Sequence, residues 1–123
     1  MENWEFDFKW QRIRHKIKEL FNKESLPDTN AILFLIGIQE LGVPKQEYTK
    51  EEKQDLMHVA VCTLLEPLGY FEFKGRDEEG WPHYVQIKKI PSSGVKAQSE
   101  LLQKQIISYF EALEIENGGF SDN

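Results

Sequence analysis

The most constraining feature of this 123-residue sequence is a segment that is apolar on nearly every side. Residues 30 to 41 read Asn-Ala-Ile-Leu-Phe-Leu-Ile-Gly-Ile-Gln-Glu-Leu, and no polar stripe runs along their length. A helix that is apolar all round has to be surrounded by other elements. The segment therefore predicts a central buried helix that ends at Gly42. The alternative, a buried parallel strand, lacks βαβ partners with which to pair.

Three further segments carry apolar residues at three- and four-residue steps, which is typical of amphipathic helices. The first covers residues 7 to 23, with an apolar face that Trp4 and Phe6 extend towards the N-terminus. The second runs from residue 50 to about Glu66, and Thr49 and Glu52 form a capping-box pattern at its start. The last covers residues 95 to 115.

Between the third and fourth predicted helices lie two short segments with the alternation of β-strands. In residues 70–74 the apolar Phe71 and Phe73 alternate with charged residues, and in residues 83–90 Val85 and Ile87 alternate with polar ones. A glycine-bounded loop joins the two segments, which predicts a hairpin whose apolar faces lie on the helices. The fold class is therefore predicted to be α+β, with about four helices and one antiparallel hairpin. We expect one domain over residues 1–116 and a flexible tail over 117–123.

Composition indicates the compartment. The single cysteine, Cys62, cannot form an internal disulfide, which fits a reducing environment. The first residues include acids where a secretory signal needs basic residues. The longest apolar run, residues 31–38, is far shorter than the roughly 20 residues of a transmembrane helix. We therefore expect a cytoplasmic protein with no membrane span.

The order of three helices followed by a hairpin resembles a winged helix, which makes DNA or RNA binding one alternative function. The charge disfavours nucleic acid as a partner, because the net charge of the chain is −6. The helix before the predicted wing carries two lysines against four acidic residues, and the basic residues of the hairpin are matched by acidic ones. A winged domain of this charge is expected to meet another protein.

The first predicted helix differs from the rest of the chain in charge. Residues 1–24 have a net charge of +1, which leaves −7 for the remainder. Its aromatic residues outnumber those that one buried helix face accommodates, and exposed aromatics commonly anchor interfaces. The sequence thus predicts partner binding at the N-terminal helix and at the hairpin tip, through Trp4, Phe8, Arg12, Lys16, Arg76 and Trp81. The competing interpretation is an ordinary amphipathic helix whose basic face pairs with the acidic remainder.

The most suggestive chemical set is His58, Cys62, Glu66 and His83. On a helix His58 and Cys62 share one face, as two ligands of one metal ion must, and Glu66 lies one turn further along. The same residues would serve a thiol enzyme if Cys62 were exposed and a histidine stabilised its thiolate. However, no established zinc spacing is present, and the apolar neighbours of Cys62 favour a packing role.

Two stretches carry a resemblance. Residues 57–70, MHVAVCTLLEPLGY, and 75–84, GRDEEGWPHY, resemble a signature of small uncharacterised bacterial proteins. The resemblance implies a bacterial cytoplasmic origin and brings no assigned activity.

The sequence favours a non-enzymatic protein–protein interaction module that associates with another protein or with itself. The metal or thiol enzyme and the winged nucleic-acid binder remain alternatives. Catalytic residues are not identifiable from the sequence, and no cofactor is expected.

Overall fold

In the computed structural model the chain is described over residues 4–42, 45, 47–91 and 94–116, with side chains as far as 113. The helices are α1 (Trp4–Leu20), α2 (Thr29–Leu41), α3 (Lys50–Leu65) and α4 (Val95–Glu116). The strands are β1 (Phe71–Arg76) and β2 (Pro82–Gln86), and a 3-10 turn (Glu66–Leu68) follows α3. The predicted α+β class, with one antiparallel hairpin between the third and fourth helices, is confirmed.

The chain divides into two compact units. The first contains α1 and α4, and the second is the continuous segment from Thr29 to Ser92, which contains α2, α3 and the hairpin. The prediction of one domain over residues 1–116 stays a prediction, and the expected tail at 117–123 lies outside the described residues. Within those residues, no helix has the length and apolar character to cross a bilayer.

In the first unit α1 packs against α4. The buried side chains of α1 are Trp10, Ile13 and Ile17, which recur at three- and four-residue steps as the sequence predicts. On α4 the buried residues include Ile106 and Phe110. The predicted face was right at its centre and too long at both ends. Trp4, which was expected to extend it, is 69% exposed, and beyond the end of the helix at Leu20 the side chain of Phe21 is about half exposed.

In the second unit α2 is the buried helix that its composition predicts, and it packs against α3. Gly37 lies at the closest approach of the two helices: a Cβ added there would overlap the carbonyl oxygen of Leu56 and lie 2.7 Å from its carbonyl carbon. The side chain of Leu56 is fully buried. Position 37 thus requires a glycine because there is no room for a Cβ atom. Position 42, where α2 ends, favours a glycine for another reason, since its φ is +80°.

The start of α3 follows the predicted capping box. The backbone N–H of Glu52 donates to Thr49 Oγ1 at 3.0 Å, and the N–H of Thr49 donates to Glu52 Oε1 at 2.9 Å. The carboxylate of Glu52 also accepts from Lys45 Nζ at 2.8 Å. This bond is the largest cause that lowers the pKa of Glu52, and the bond from the Thr49 N–H is the second. The cap therefore fixes where α3 begins.

The hairpin packs on α3 through a different face of β2 than the sequence predicts. Phe71 is buried, and the hydroxyl of Tyr84 lies 3.0 Å from Thr63 Oγ1 on α3. Because the hydroxyl of Thr63 donates to the carbonyl of Val59 at 2.9 Å, the tyrosine hydroxyl is the donor in that pair. Phe73 pairs with Tyr84 across the ladder, so the opposite face carries Val85.

The assignment of Val85 and Ile87 to the inward face of β2 was therefore wrong. They are 48% and 57% exposed. Adjacent strand residues point to opposite faces, so the inward position of Tyr84 turns both aliphatic residues outward. The register also shifts between Phe73 and Gly75, which leaves Lys74 as an extra residue in β1.

Candidate functional site

The side of α1 that faces away from its buried residues carries two large aromatic side chains. Trp4 is 69% exposed and Phe8 is 63% exposed. At 3.6 residues per turn they lie next to each other, roughly 180° around the helix from the mean direction of the buried Trp10, Ile13 and Ile17. The helix is therefore apolar on two opposite sides, of which one is buried and the other is open.

Two basic residues continue the line of the aromatic pair. Trp4, Phe8, Arg12 and Lys16 follow one another at steps of four residues within α1, so they form one row on its surface. We call these four residues the aromatic–basic row. Arg12 and Lys16 are both partly exposed. The row contains two adjacent aromatic side chains in its first half and two adjacent cations in its second half.

Two further basic residues of α1, Arg14 and Lys9, make contacts within their own unit. Arg14 Nε donates to the carbonyl of Pro27 at 2.8 Å, and Lys9 Nζ lies 3.8 Å from Glu111 Oε2 on α4. For Lys9 the structure thus follows the competing interpretation, in which basic residues of α1 pair with acidic residues elsewhere. The aromatic–basic row is the part of the predicted surface that this interpretation does not explain, because it leaves Trp4 and Phe8 exposed.

The hairpin tip is a turn held by hydrogen bonds to Asp77 and Gly80. Asp77 Oδ1 accepts from the backbone N–H groups of Glu79 and Trp81 at 2.9 and 3.0 Å. Gly80 has a φ of +92°, and its carbonyl accepts from Arg76 Nη1 at 2.8 Å. The predicted partner residue Arg76 therefore makes a bond that closes the turn, whereas Trp81 lines a cleft behind it.

This cleft, about 370 Å³ in volume, lies between α3 and the hairpin tip. Its lining includes two histidines, three carboxylates and one indole: His58, His83, Asp55, Asp77, Glu79 and Trp81. His83 Nε2 lies 2.9 Å from Asp77 Oδ2. The pKa of Asp77 is lowered from its usual value of 3.8. The bond with His83 is the largest cause, and the bond from the N–H of Trp81 is the second.

The structure divides the predicted metal set. His58 and His83 both line the cleft, whereas Cys62 is buried and Glu66 is exposed at the end of α3. Over the residues that the structure describes, no group of three or more His, Cys, Asp or Glu side chains is arranged to hold a metal ion. Metal binding by His58, Cys62, Glu66 and His83 stays a prediction.

Cys62 has the environment of a packed side chain. It is 1% exposed, and its Sγ lies 3.5 Å from His58 Nε2 one helical turn away. Burial raises the pKa of its thiol from 9.0 to about 11. A nucleophilic cysteine needs access and a stabilised thiolate, so both observations favour the packing role.

Sequence reasoning missed the cleft and the outward apolar pair Val85 and Ile87. The cleft depends on where the hairpin tip meets α3, and a local sequence pattern does not predict that contact. The turn at the tip was expected from its glycines, and an Asp followed three residues later by a Gly also indicates a type I turn whose last residue takes positive φ.

Comparisons with protein-family models, with curated proteins and with solved structures give no match to this chain. The resemblance of residues 57–70 and 75–84 to small bacterial proteins therefore stays a prediction. The function has to be argued from the chain's own surfaces.

Proposed function

We propose that this protein is a non-enzymatic protein–protein interaction module that binds through the aromatic–basic row of α1. The observation that carries the proposal is the exposure of Trp4 and Phe8, 69% and 63%, on the side of α1 opposite its buried residues. Aromatic side chains in such positions commonly supply much of the binding energy of interfaces.

The exposed area is large enough to matter energetically. Tryptophan and phenylalanine bury roughly 150–250 Å² each when they are covered, so these exposures leave about 200–300 Å² for a partner. At about 25 cal/mol per Å² this area corresponds to roughly 5–7 kcal/mol before the costs of association. Arg12 and Lys16 extend the contact, and they favour a partner that offers carboxylates or aromatic rings.

The alternatives have less support. Cys62 is buried with a raised pKa, which disfavours the thiol enzyme. The metal-dependent version would use the cleft lined by His58 and His83, and elemental analysis of protein purified without chelators tests it directly. Nucleic-acid binding is disfavoured by the net charge of −6. We propose a cytoplasmic location on the ground of the single cysteine.

Site-specific photo-crosslinking tests the proposal. A photoreactive phenylalanine analogue replaces Phe8 in the protein produced in bacterial cells, and a matched sample carries it in place of Phe21. Phe21 is also exposed, at 47%, but lies beyond the end of α1. We expect a protein adduct from position 8, weakened by Trp4→Ala, and little or none from position 21. Equal labelling at both positions, or no adduct from position 8 together with a monomeric protein, would refute the proposal.

A further inference from the structure

The order of residues in the aromatic–basic row makes the row complementary to a reversed copy of itself. Trp4 and Phe8 occupy its N-terminal half, and Arg12 and Lys16 occupy its C-terminal half. Arginine and lysine side chains bind favourably over the faces of indole and phenyl rings. A second copy of this chain therefore supplies cations for the aromatic half and rings for the basic half at the required spacing.

We infer that two copies of this protein associate through an antiparallel pair of α1 helices, in which Trp4 faces Lys16 of the other copy and Phe8 faces Arg12. The inference rests on the proposed function of the row and names its partner. A twofold axis at the level of residue 10, on the open side of α1, brings both pairs together. Each pair occurs twice, which gives four ring–cation contacts per dimer.

The geometry of a helix permits this match along the whole row. With a rise of 1.5 Å per residue, the row spans about 18 Å, and its midpoint lies between Phe8 and Arg12. A twofold rotation about that midpoint exchanges residues at equal distances on either side. Four residues turn the helix by about 400°, so the row is inclined to the helix axis. The two helices therefore have to cross at about 50° for residue 8 to meet residue 12 and residue 4 to meet residue 16.

Charge along α1 selects the antiparallel direction. The first turn of α1 carries the acidic residues Glu5 and Asp7. The second half of the helix carries four basic residues and one acidic residue: Arg12, Arg14, Lys16, Lys18 and Glu19. In an antiparallel pair the acidic end of each helix lies beside the basic end of the other, and the helix dipoles oppose one another. A parallel pair would instead place Arg12 against Arg12 and Lys16 against Lys16. Like charges at such short distances repel.

The area predicts a weak and reversible dimer. The two aromatic residues offer about 200–300 Å² per copy, and one helix face does not reach the 1,200–2,000 Å² of a standard stable interface. We therefore expect the dissociation constant of the dimer to lie in the micromolar to millimolar range. Loss of all four ring–cation contacts should weaken it roughly 30-fold to 1,000-fold.

A complementation experiment tests both the surface and its direction. One variant carries Trp4→Ala and Phe8→Ala and keeps the cations, while the other carries Arg12→Gln and Lys16→Gln and keeps the rings. Neither variant can form a ring–cation contact with itself. Mixed together, they regain two of the four contacts, because the rings of one chain meet the cations of the other.

Sedimentation equilibrium of each variant, and native mass spectrometry of the mixture, provide the measurements. We expect a monomer–dimer equilibrium for the wild-type protein, monomers for each variant alone, and heterodimers in the mixture. Phe21→Ala is the matched control and should dimerise like the wild type. Far-UV circular dichroism checks that each variant is folded. We expect the alanine variant to fold, because Trp4 and Phe8 are exposed and contribute little to the core.

Several outcomes would overturn the inference. A wild-type protein that stays monomeric at millimolar concentration, a Trp4/Phe8 variant that still dimerises, or a mixture without heterodimers each contradicts it. The proposed function fails separately, because crosslinks from position 8 to a different protein satisfy it even when the chain is monomeric. A monomer with such crosslinks refutes self-pairing alone, and a monomer without them refutes both.

Discussion

Replacing Gly37 by alanine tests whether the close approach of α2 and α3 is as tight as the structure describes. Alanine in the middle of a helix normally adds about 1 kcal/mol of stability relative to glycine. Here the new Cβ would overlap the carbonyl oxygen of Leu56 and lie 2.8 Å from the Leu56 Cβ. Carbon atoms in favourable contact are separated by roughly 3.5–4.0 Å, so the two helices would have to move apart by about 1 Å.

The energetic balance is unfavourable because the crowded atoms belong to the backbone and to a Cβ, which cannot rotate away. Overpacking a core costs typically 1–3 kcal/mol, and a fixed obstacle places Gly37→Ala near the upper end. After the gain in helix propensity, we expect a net loss of about 2 kcal/mol in the free energy of unfolding. Buried neighbours such as Ile36 and Leu56 would lose contacts as the helices separate.

Urea denaturation followed by far-UV circular dichroism measures this change. Gln39→Ala is the control on the same helix, because Gln39 is exposed and the two residues have similar helix propensities, so we expect a change within about 0.5 kcal/mol. Gly42→Ala has open space around it and a φ of +80°, so its cost should be the roughly 1–2 kcal/mol of a left-handed alanine. A Gly37→Ala protein as stable as the wild type, or more stable, would refute the reasoning.

Three further predictions concern the cap, the thiol and the hairpin tip. Thr49→Ala should lower the free energy of unfolding, measured by urea denaturation, by about 1 kcal/mol, because it removes the bond to Glu52 N–H. Thr49→Ser should lower it much less. Equal stability of the wild type and both variants would contradict the role of the cap. At pH 8 Cys62 should react with a thiol reagent far more slowly in the folded protein than in the unfolded protein, since burial raises the pKa of its thiol to about 11. Equal rates would show that the thiol is accessible in the folded protein. His83→Ala should raise the pKa of the Asp77 carboxyl towards 3.8 in a ¹³C NMR titration, and an unchanged midpoint would count against the bond between them. Because the folded pKa of Asp77 is depressed, its contribution to stability is present above about pH 3.8 and is lost as the pH falls through the folded value.

The sequence predicted the elements whose signals are local. The all-round apolar character of α2 predicts its burial, and the pairing of Thr49 with Glu52 predicts the start of α3. Both signals lie within a few residues of the feature that they determine. The same holds for the glycines of the hairpin tip, where Gly80 takes the positive φ that the turn requires.

The features that the sequence did not predict depend on contacts between distant segments. The inward face of β2 is decided by the bond between Tyr84 and Thr63, which are 21 residues apart, so alternation alone could not choose between Tyr84 and the pair Val85 and Ile87. The contact of Gly37 with Leu56 depends on how closely two helices approach. The division into two units is likewise a property of packing and not of any one segment.

For the candidate site the sequence predicted the residues of the aromatic–basic row, and it predicted one metal or thiol site for His58, Cys62, Glu66 and His83. Trp4 and Phe8 were included because the aromatic residues near the N-terminus outnumber those that one buried helix face accommodates. In the structure His58 lies next to Cys62 and lines a cleft with His83, whereas Glu66 is exposed at the end of α3. The hairpin tip brings Trp81 and His83 to α3 from another part of the chain.

The helices that pack together in the first unit are made at very different times. About 75 residues separate the end of α1 at Leu20 from the start of α4 at Val95, and a ribosome adds roughly 5–20 residues per second. For about 4–15 s after its own synthesis, α1 therefore has Trp10, Ile13 and Ile17 without the helix that they pack against. The continuous segment that contains α2, α3 and the hairpin can fold during this interval, and the nascent chain presents an unpaired apolar helix that chaperones are able to bind.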